Sequence, residues 1–484
     1  MATSEPVRTS APRVHWRILA LTLLALALRV VFLGHKGLWQ DEVFSVLFAR
    51  PSNPDFWPVL KTAEANMGLY YILLRQWMHY FAGDAAVRFL SVVPGVLTIP
   101  ALYALGARLY SRRIAMWAAG LVTVNACAVV YSQEARGYSL LVLFVALSSW
   151  AFLRLIESPT IMNWLMYIAF SICAFYSHFY AVFVILAQLC ALGFLPTNKV
   201  PWKSLLASWA FIAIAAVPGL RVVLLSHGSN LWWVPRPGLL EIYRTLTFLA
   251  AENGKALGAV LAVLLLIPIG FASYAAWQQW RSSGKSTETF RGTFAVLGLL
   301  VPLATTMLLS QWRPMFFHRF LIICLVPFLL LAAAGLDELR NYRVRIALAL
   351  AILLLSCITT ELSYLKVRED WRGASAFSLS ASSDPVIFYI KDAAAPFAYY
   401  RERLGQPMTA EQAIRLDSPP STDQVATWSK VYPHFWIVRF PASPKDTFEP
   451  QIAATIGHKY RLCERRDFKS ISVSQFATGI CPAK

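Results

Sequence analysis

Apolar runs of bilayer-crossing length recur from Trp16 to Leu365, and no other feature of the sequence restricts the fold as much. A helix rises 1.5 Å per residue, so about 20 apolar residues cross a hydrocarbon core of about 30 Å. Runs of that order are Trp16 to Gly34, Phe89 to Leu109, Ile114 to Tyr131, Tyr138 to Ile156, Trp164 to Ser177, Phe179 to Leu195, Leu205 to Leu225, Ala256 to Trp277, Thr293 to Gln311, Phe320 to Leu336 and Ile346 to Leu365. They make about eleven spans by the usual length criterion. With 57% hydrophobic and only 14% charged residues, this 484-residue chain reads as an α-helical polytopic membrane protein. The first run is expected to stay in the protein and not to be a cleaved signal, since it is long, contains Arg29 and lacks a small-residue cleavage site. Residues 1–15 read as a polar, basic cytoplasmic tail.

One apolar stretch is set apart. Met67 to Phe81 would reach only about 22 Å as a helix, and it carries Arg75 and His79. It is expected to lie in the interface plane on aromatic anchors. Leaving it uncounted, with a cytoplasmic N-terminus, puts Arg112, Arg113, Arg154, Lys199, Lys203, Arg281, Lys285, Arg291, Arg340, Arg343 and Arg345 on inside turns. That is the positive-inside pattern. The excess of 44 Lys and Arg over 26 Asp and Glu, a net charge of +18, is then mostly a topology signal, and nucleic acid is not an expected partner.

The same topology sends loops 35–88, 132–137, 226–255 and 312–319 to the outer face, where ionisable groups collect. Asp41 and Glu42, in Gly37 to Arg50, stand beside Trp39 and Phe44 just past the first span. A charge costs roughly 2.5 to 3.5 kcal/mol at a span's centre and less near its end, so an acidic pair there asks for either a function or a hydrated loop start. Glu134 and Arg136 read equally as a local ion pair, His178 as a hydrogen-bonded interfacial histidine, and Arg319 as a snorkelling anchor. Their collection on one face favours a site.

Past Leu365 the composition changes, and 366–484 is expected to form a small outer α/β domain with strands at Val386 to Ile390 and Phe435 to Phe440 and helices at Ala395 to Leu404 and Pro450 to Ile456. Five of the seven cysteines lie in apolar runs; Cys463 and Cys481 fall in this domain and are candidates to pair in an oxidising compartment. The sequence contains no C-x-x-C, H-E-x-x-H or G-x-S-x-G, and Gly284-Lys285-Ser286 lacks the earlier glycine of a phosphate loop. No repeat of 20 to 50 residues is evident.

An ordered series of short pieces then carries a resemblance: Trp39-Gln-Asp41-Glu42-Val-Phe-Ser45, Asn66-Met-Gly-Leu-Tyr70-Tyr71, Arg88-Phe-Leu-Ser91, Tyr131-Ser-Gln-Glu134-Ala-Arg136-Gly-Tyr138, Ser177-His178-Phe-Tyr180, His318-Arg319-Phe320 and Asp370-Trp371-Arg372. Over Trp16 to Arg372 the chain resembles the GT-C glycosyltransferases that use a polyprenyl-phosphate-linked sugar, in the bacterial protein-mannosyltransferase-like and aminoarabinose-transferase-like group. Members often carry Pro-Pro where this chain has Met67-Gly68. The resemblance implies a lipid-linked sugar donor, a lipid, glycan or protein acceptor, and residence in the cell (inner) membrane with the site and C-terminal domain outside.

Sugar transfer from a lipid phosphate needs a base for the acceptor hydroxyl and cations for the departing phosphate. Asp41 is the expected general base in an inverting single displacement. Glu42 would orient it or help hold a divalent ion, with Asp41, Glu42 and His178 as the expected metal set. Glu134, Arg136, Tyr138, His178, His318 and Arg319 are the expected substrate and donor-phosphate residues, since guanidinium forks match phosphate oxygens. Trp232 and Trp233 suit either a lid or the aromatic belt. The competing class is a transporter or flippase, which would place ionisable groups at the midplane on broken, repeated helices.

Overall fold

The structure, a computed structural model, describes residues 16–225, 234, 236–252, 255–378, 384–389, 393–416, 420–440 and 454–481. The bundle contains α1 (Trp16–Val30), α2 (Gln40–Ala49), α3 (Phe56–Thr62), α4 (Gly68–Trp77), α5 (Asp84–Leu109), α6 (Arg112–Val124), α7 (Ala126–Ser132), α8 (Tyr138–Glu157), α9 (Ile161–Ser177), α10 (Ala181–Leu192), α11 (Trp202–Leu225), α12 (Leu239–Ala251), α13 (Ala256–Ser283), α14 (Thr287–Leu309), α15 (Leu325–Glu338) and α16 (Tyr342–Leu365). Among the described residues seven helices are long and apolar enough to cross a membrane, with the 3₁₀ turn before α15 counted into that span, and eight if the bent pair α6 and α7 is one span. The other three expected spans coincide with helices of 15, 17 and 12 residues: α1, α9 and α10. The stretch set apart as interfacial is the ten-residue α4.

The bend between α6 and α7 is 57° and has a local cause. Asn125 leaves helical geometry and its side chain accepts from Ala128 N, so it starts α7 and ends α6. The last carbonyls of α6 then have no partner within the helix. In a bilayer they must find one inside the protein. Buried Arg29 donates to Val122 O at 3.1 Å and Thr123 O at 3.2 Å, and Thr360 Oγ1 to Val124 O at 2.8 Å. Arg29, inside the first apolar run, is thus a partner this break requires.

After Leu365 the chain forms α17 (Trp371–Phe377), α18 (Ala394–Arg403), α19 (Thr422–Val431) and strands β1 (Val386–Tyr389), β2 (Ala413–Leu416), β3 (His434–Arg439), β4 (Arg461–Phe468) and β5 (Ile471–Ala477). The sheet runs β2-β1-β3-β5-β4, with β1 parallel to β2 and β3, and β5 antiparallel to β3 and β4. The expected strands and first helix correspond to β1, β3 and α18. The expected helix at Pro450 to Ile456 lies mostly outside the described residues. Cys463 and Cys481 are disulfide-bonded.

This region is fastened to the bundle near α2. Asp84, opening α5, accepts from Arg372 and Tyr400 and pairs with Arg403, while Arg50 at the end of α2 pairs with Glu402. Asp84 is buried, whereas Arg372, Arg403, Arg50 and Glu402 stay partly exposed.

Candidate active site

Helix α2 starts without a conventional side-chain cap, because its N-cap is Trp39. Glu42, in the first turn, supplies the missing acceptor, its Oε2 taking Trp39 N at 3.2 Å. Adjacent helix positions point about 100° apart, so the two acids of the motif separate. Glu42 turns inward and is fully buried; Asp41 keeps 37% of its side chain exposed.

Glu42 is saturated. Its Oε1 accepts from Arg88 Nε at 2.7 Å and Ala135 N at 2.8 Å, and its Oε2 from Arg88 Nη2 at 2.6 Å. Arg88 spends its remaining hydrogens on Leu33 O, Lys36 O and Gly37 O. This fork ties the start of α5, the approach to α2 and the 133–137 turn into one block. The expected role of Glu42 in metal holding does not fit this geometry, since each oxygen already accepts two hydrogen bonds; it positions α2.

Asp41 faces the other way. Its Oδ2 lies 3.1 Å from Arg319 Nη1, and its backbone oxygen accepts from Ser45 Oγ and, weakly at 3.4 Å, from Arg136 Nη1. Arg136 also donates to Ser45 Oγ and Tyr71 OH at 3.2 Å each, and Tyr138 lies near enough to interact with its charge. The Arg319 guanidinium lies 4.8 Å from the Trp39 ring centroid, and that of Arg368 4.7 Å. Such cation–π contacts are worth about 0.5 to 2 kcal/mol. Arg368 pairs in turn with Glu134 Oε1 at 2.6 Å and Glu252 Oε1 at 3.1 Å. Trp39, Glu134, Glu252, Lys36 and Arg368 line a cavity of about 60 Å³, room for a few waters or one small polar group.

The burial of these groups sets their charge. Burial pushes the Glu134 carboxyl up to about 7, with Arg368 and then Arg319 pulling the other way. Desolvation wins over the ion pair. Burial, then the Arg136 charge, pushes His178 down to about 3, and burial, then Arg319, pushes His318 down to about 4. Both imidazoles are therefore neutral at ordinary pH. His178 Nδ1 accepts from Tyr180 N at 3.2 Å, which leaves the proton on Nε2.

The expected residues are thus brought into linked contact. Asp41, Arg136, Tyr138 and Arg319 form one group, Tyr138 stacks on His178 at 6.0 Å, and His318 precedes Arg319 against Phe248. Glu134 joins through Arg368 and Trp39, and does not pair with Arg136 in a side-chain ion pair. Within this cluster six buried polar atoms have no partner among the described residues: Trp39 Nε1, Glu134 Oε2, Arg136 Nε, His178 Nε2, His318 Nδ1 and Arg319 Nε. Each buried atom left unmatched costs about 1 to 3 kcal/mol, so such a concentration calls for partners other than the described side chains. Trp232 and Trp233 lie outside the described residues.

No three His, Cys, Asp or Glu side chains among the described residues converge as a metal site. The expected set of Asp41, Glu42 and His178 does not converge: Glu42 spends both oxygens on Arg88, Ala135 and Trp39, while His178 accepts from Tyr180 N through Nδ1 and keeps Nε2 without a partner among the described residues. Sequence reasoning also missed Arg368, Glu252 and Glu369. A basic residue after a last span reads as an interfacial anchor, and nothing local to Arg368 announces its distant partners.

The helical bundle with its small C-terminal α/β region has the GT-C fold. The chain matches the family profile described as dolichyl-phosphate-mannose-protein mannosyltransferase over residues 70–226. It is similar in structure to ArnT from Cupriavidus metallidurans bound to undecaprenyl phosphate, at TM-score 0.55 and 11% identity, over 95% of this chain and 97% of that one. It is also similar to the oligosaccharyltransferase AglB from Archaeoglobus fulgidus, in complex with an inhibitory peptide and a dolichol-phosphate, at TM-score 0.54 and 12% identity, over 88% of this chain and 69% of that one. A structure of the Archaeoglobus enzyme with Zn and sulfate matches at TM-score 0.52 and 11% identity, over 88% and 68%. No curated protein matches the chain in sequence.

Proposed function

We propose that this chain is an integral membrane glycosyltransferase that moves a sugar from a polyprenyl-phosphate donor to an acceptor hydroxyl on the extracytoplasmic face of the cell (inner) membrane. One observation carries the reading. Asp41 is an accessible carboxylate 3.1 Å from the Arg319 guanidinium, at the edge of a cluster whose buried polar atoms lack partners. The mannosyltransferase profile over 70–226 and the fold shared with lipid-phosphate-bound neighbours support the class of reaction and donor.

In this mechanism Asp41 takes the proton of the acceptor hydroxyl as its oxygen attacks the anomeric carbon. The bond from that carbon to the phosphate oxygen breaks, and its electron pair leaves with the lipid phosphate. Arg319 and Arg136 meet the negative charge that gathers there, in a site where burial strengthens each contact. Neutral His178 donates a hydrogen bond through Nε2. The configuration at the anomeric carbon inverts, because a single displacement passes through no covalent sugar–enzyme intermediate.

Asp41→Asn tests it. A positioned base contributes about 10² to 10⁴ in rate, so turnover with a polyprenyl-phosphate sugar should fall by that factor while donor affinity stays within a few-fold. A variant that keeps its turnover would overturn the assignment, and a flippase would keep its activity.

A further inference from the structure

The first turn of α2 holds Asp41, and the backbone leading into it is gripped largely from the far end of the chain. The N–H groups of residues 38, 39 and 40 are accepted in order by the Tyr400 hydroxyl, Glu42 Oε2 and Glu369 Oε2, the last at 2.7 Å. Two of these three acceptors belong to the region after the last span. Glu369 Oε2 also takes Trp371 Nε1 at 2.6 Å, which fixes the carboxylate from behind. Its neighbour Arg368 packs on Trp39, the residue that opens the helix. A tryptophan cannot cap a helix with an oxygen of its own, so α2 borrows its cap.

We infer that Glu369 is a positioning residue for the transfer reaction, holding the first turn of α2 and with it the carboxylate of Asp41. The C-terminal region is on this account a structural part of the active site and not a separable appendage. The inference rests on Asp41 being the base, as proposed above. A lost cap costs only about 0.5 to 2 kcal/mol, too little to unfold a bundle of this size. Misplacing a reacting group by about 1 Å costs about 10²-fold in rate.

One oxygen of Glu369 makes both bonds, so a glutamine can reproduce them and an alanine cannot. Glu369→Ala should lower kcat by about 10- to 100-fold per folded enzyme, with KM for a polyprenyl-phosphate sugar changed by less than about threefold. Glu369→Gln should restore most of the rate. Hydrogen exchange on the purified full-length protein gives a readout independent of turnover: amide protection across 38–42 should drop in Glu369→Ala and return in Glu369→Gln. Unchanged kcat and unchanged protection in Glu369→Ala would overturn the inference. So would a Glu369→Gln variant as slow as the alanine variant, which would make the charge and not the hydrogen-bond acceptor the working feature. If the wild type transfers no sugar from any polyprenyl-phosphate donor, the proposed function fails, while the exchange experiment still decides whether Glu369 holds α2.

Discussion

Asp41 and Glu42 are adjacent in sequence and opposite in circumstance, one partly exposed and the other locked beneath it. The pair was legible because charge beside a span is costly and calls for a reason. Which acid would stay accessible was not, because that depends on Arg88 arriving from α5 and Ala135 N from the following turn. Arg368 was invisible for the same reason, its partners Glu134 and Glu252 lying more than a hundred residues away. Glu134 offers a pH test. Its folded value of about 7 stands above the 4.5 of a free glutamate, so the folded protein keeps a proton that the unfolded chain has lost between those values. Stability from this group therefore falls as pH rises from about 4.5 to about 7, by a few kcal/mol at most. Glu134→Gln should gain melting temperature relative to wild type between pH 5 and pH 8, by a few degrees in a thermal scan. A constant difference across that range would show that Glu134 stays ionised in the fold.

Among the elements, the spans were readable because their signal is a run of apolar residues and needs no partner. All eleven apolar runs correspond to helical segments, although α1 and α10 are shorter than the runs suggested. Strands β2, β4 and β5 were not readable. Polar Arg461–Phe468 at the edge of the sheet shows no alternation of apolar residues, and its pairing with β5 is interrupted by an irregularity between Leu462 and Glu464. Helix packing adds a requirement of its own. At Gly335 a β-carbon would lie 1.7 Å from the carbonyl oxygen of Pro268, so α13 and α15 approach backbone to backbone. Small residues let membrane helices close in this way. Gly335→Ala should lower the melting temperature and the yield of folded protein in detergent, since a helix backbone must move aside. A variant as stable as wild type would mean that the two helices separate at little cost.

Across the whole molecule the site is assembled from segments centred on residues 41, 88, 134, 178, 319 and 368, which topology alone brings to one end of the bundle. The contacts between Asp41 and Arg319, and between Glu134 and Arg368, hold these loops together at one end of the bundle, which faces one compartment. Which compartment it is can be tested by fusion to alkaline phosphatase, which is active only outside the cytoplasm. A fusion after Lys484 should be active and one after Arg112 inactive; the reverse pattern would invert the proposed orientation. Under the proposed function, the hairpin of α9 and α10 has a further bearing on how a lipid-linked donor would reach the site. At about 26 Å and about 18 Å by their rise, its arms fall short of a 30 Å hydrocarbon slab, and a short element draws the surrounding bilayer thinner. The His178 turn would then sit in a dimple, where a headgroup carried on a long tail need rise only a little to leave the oil.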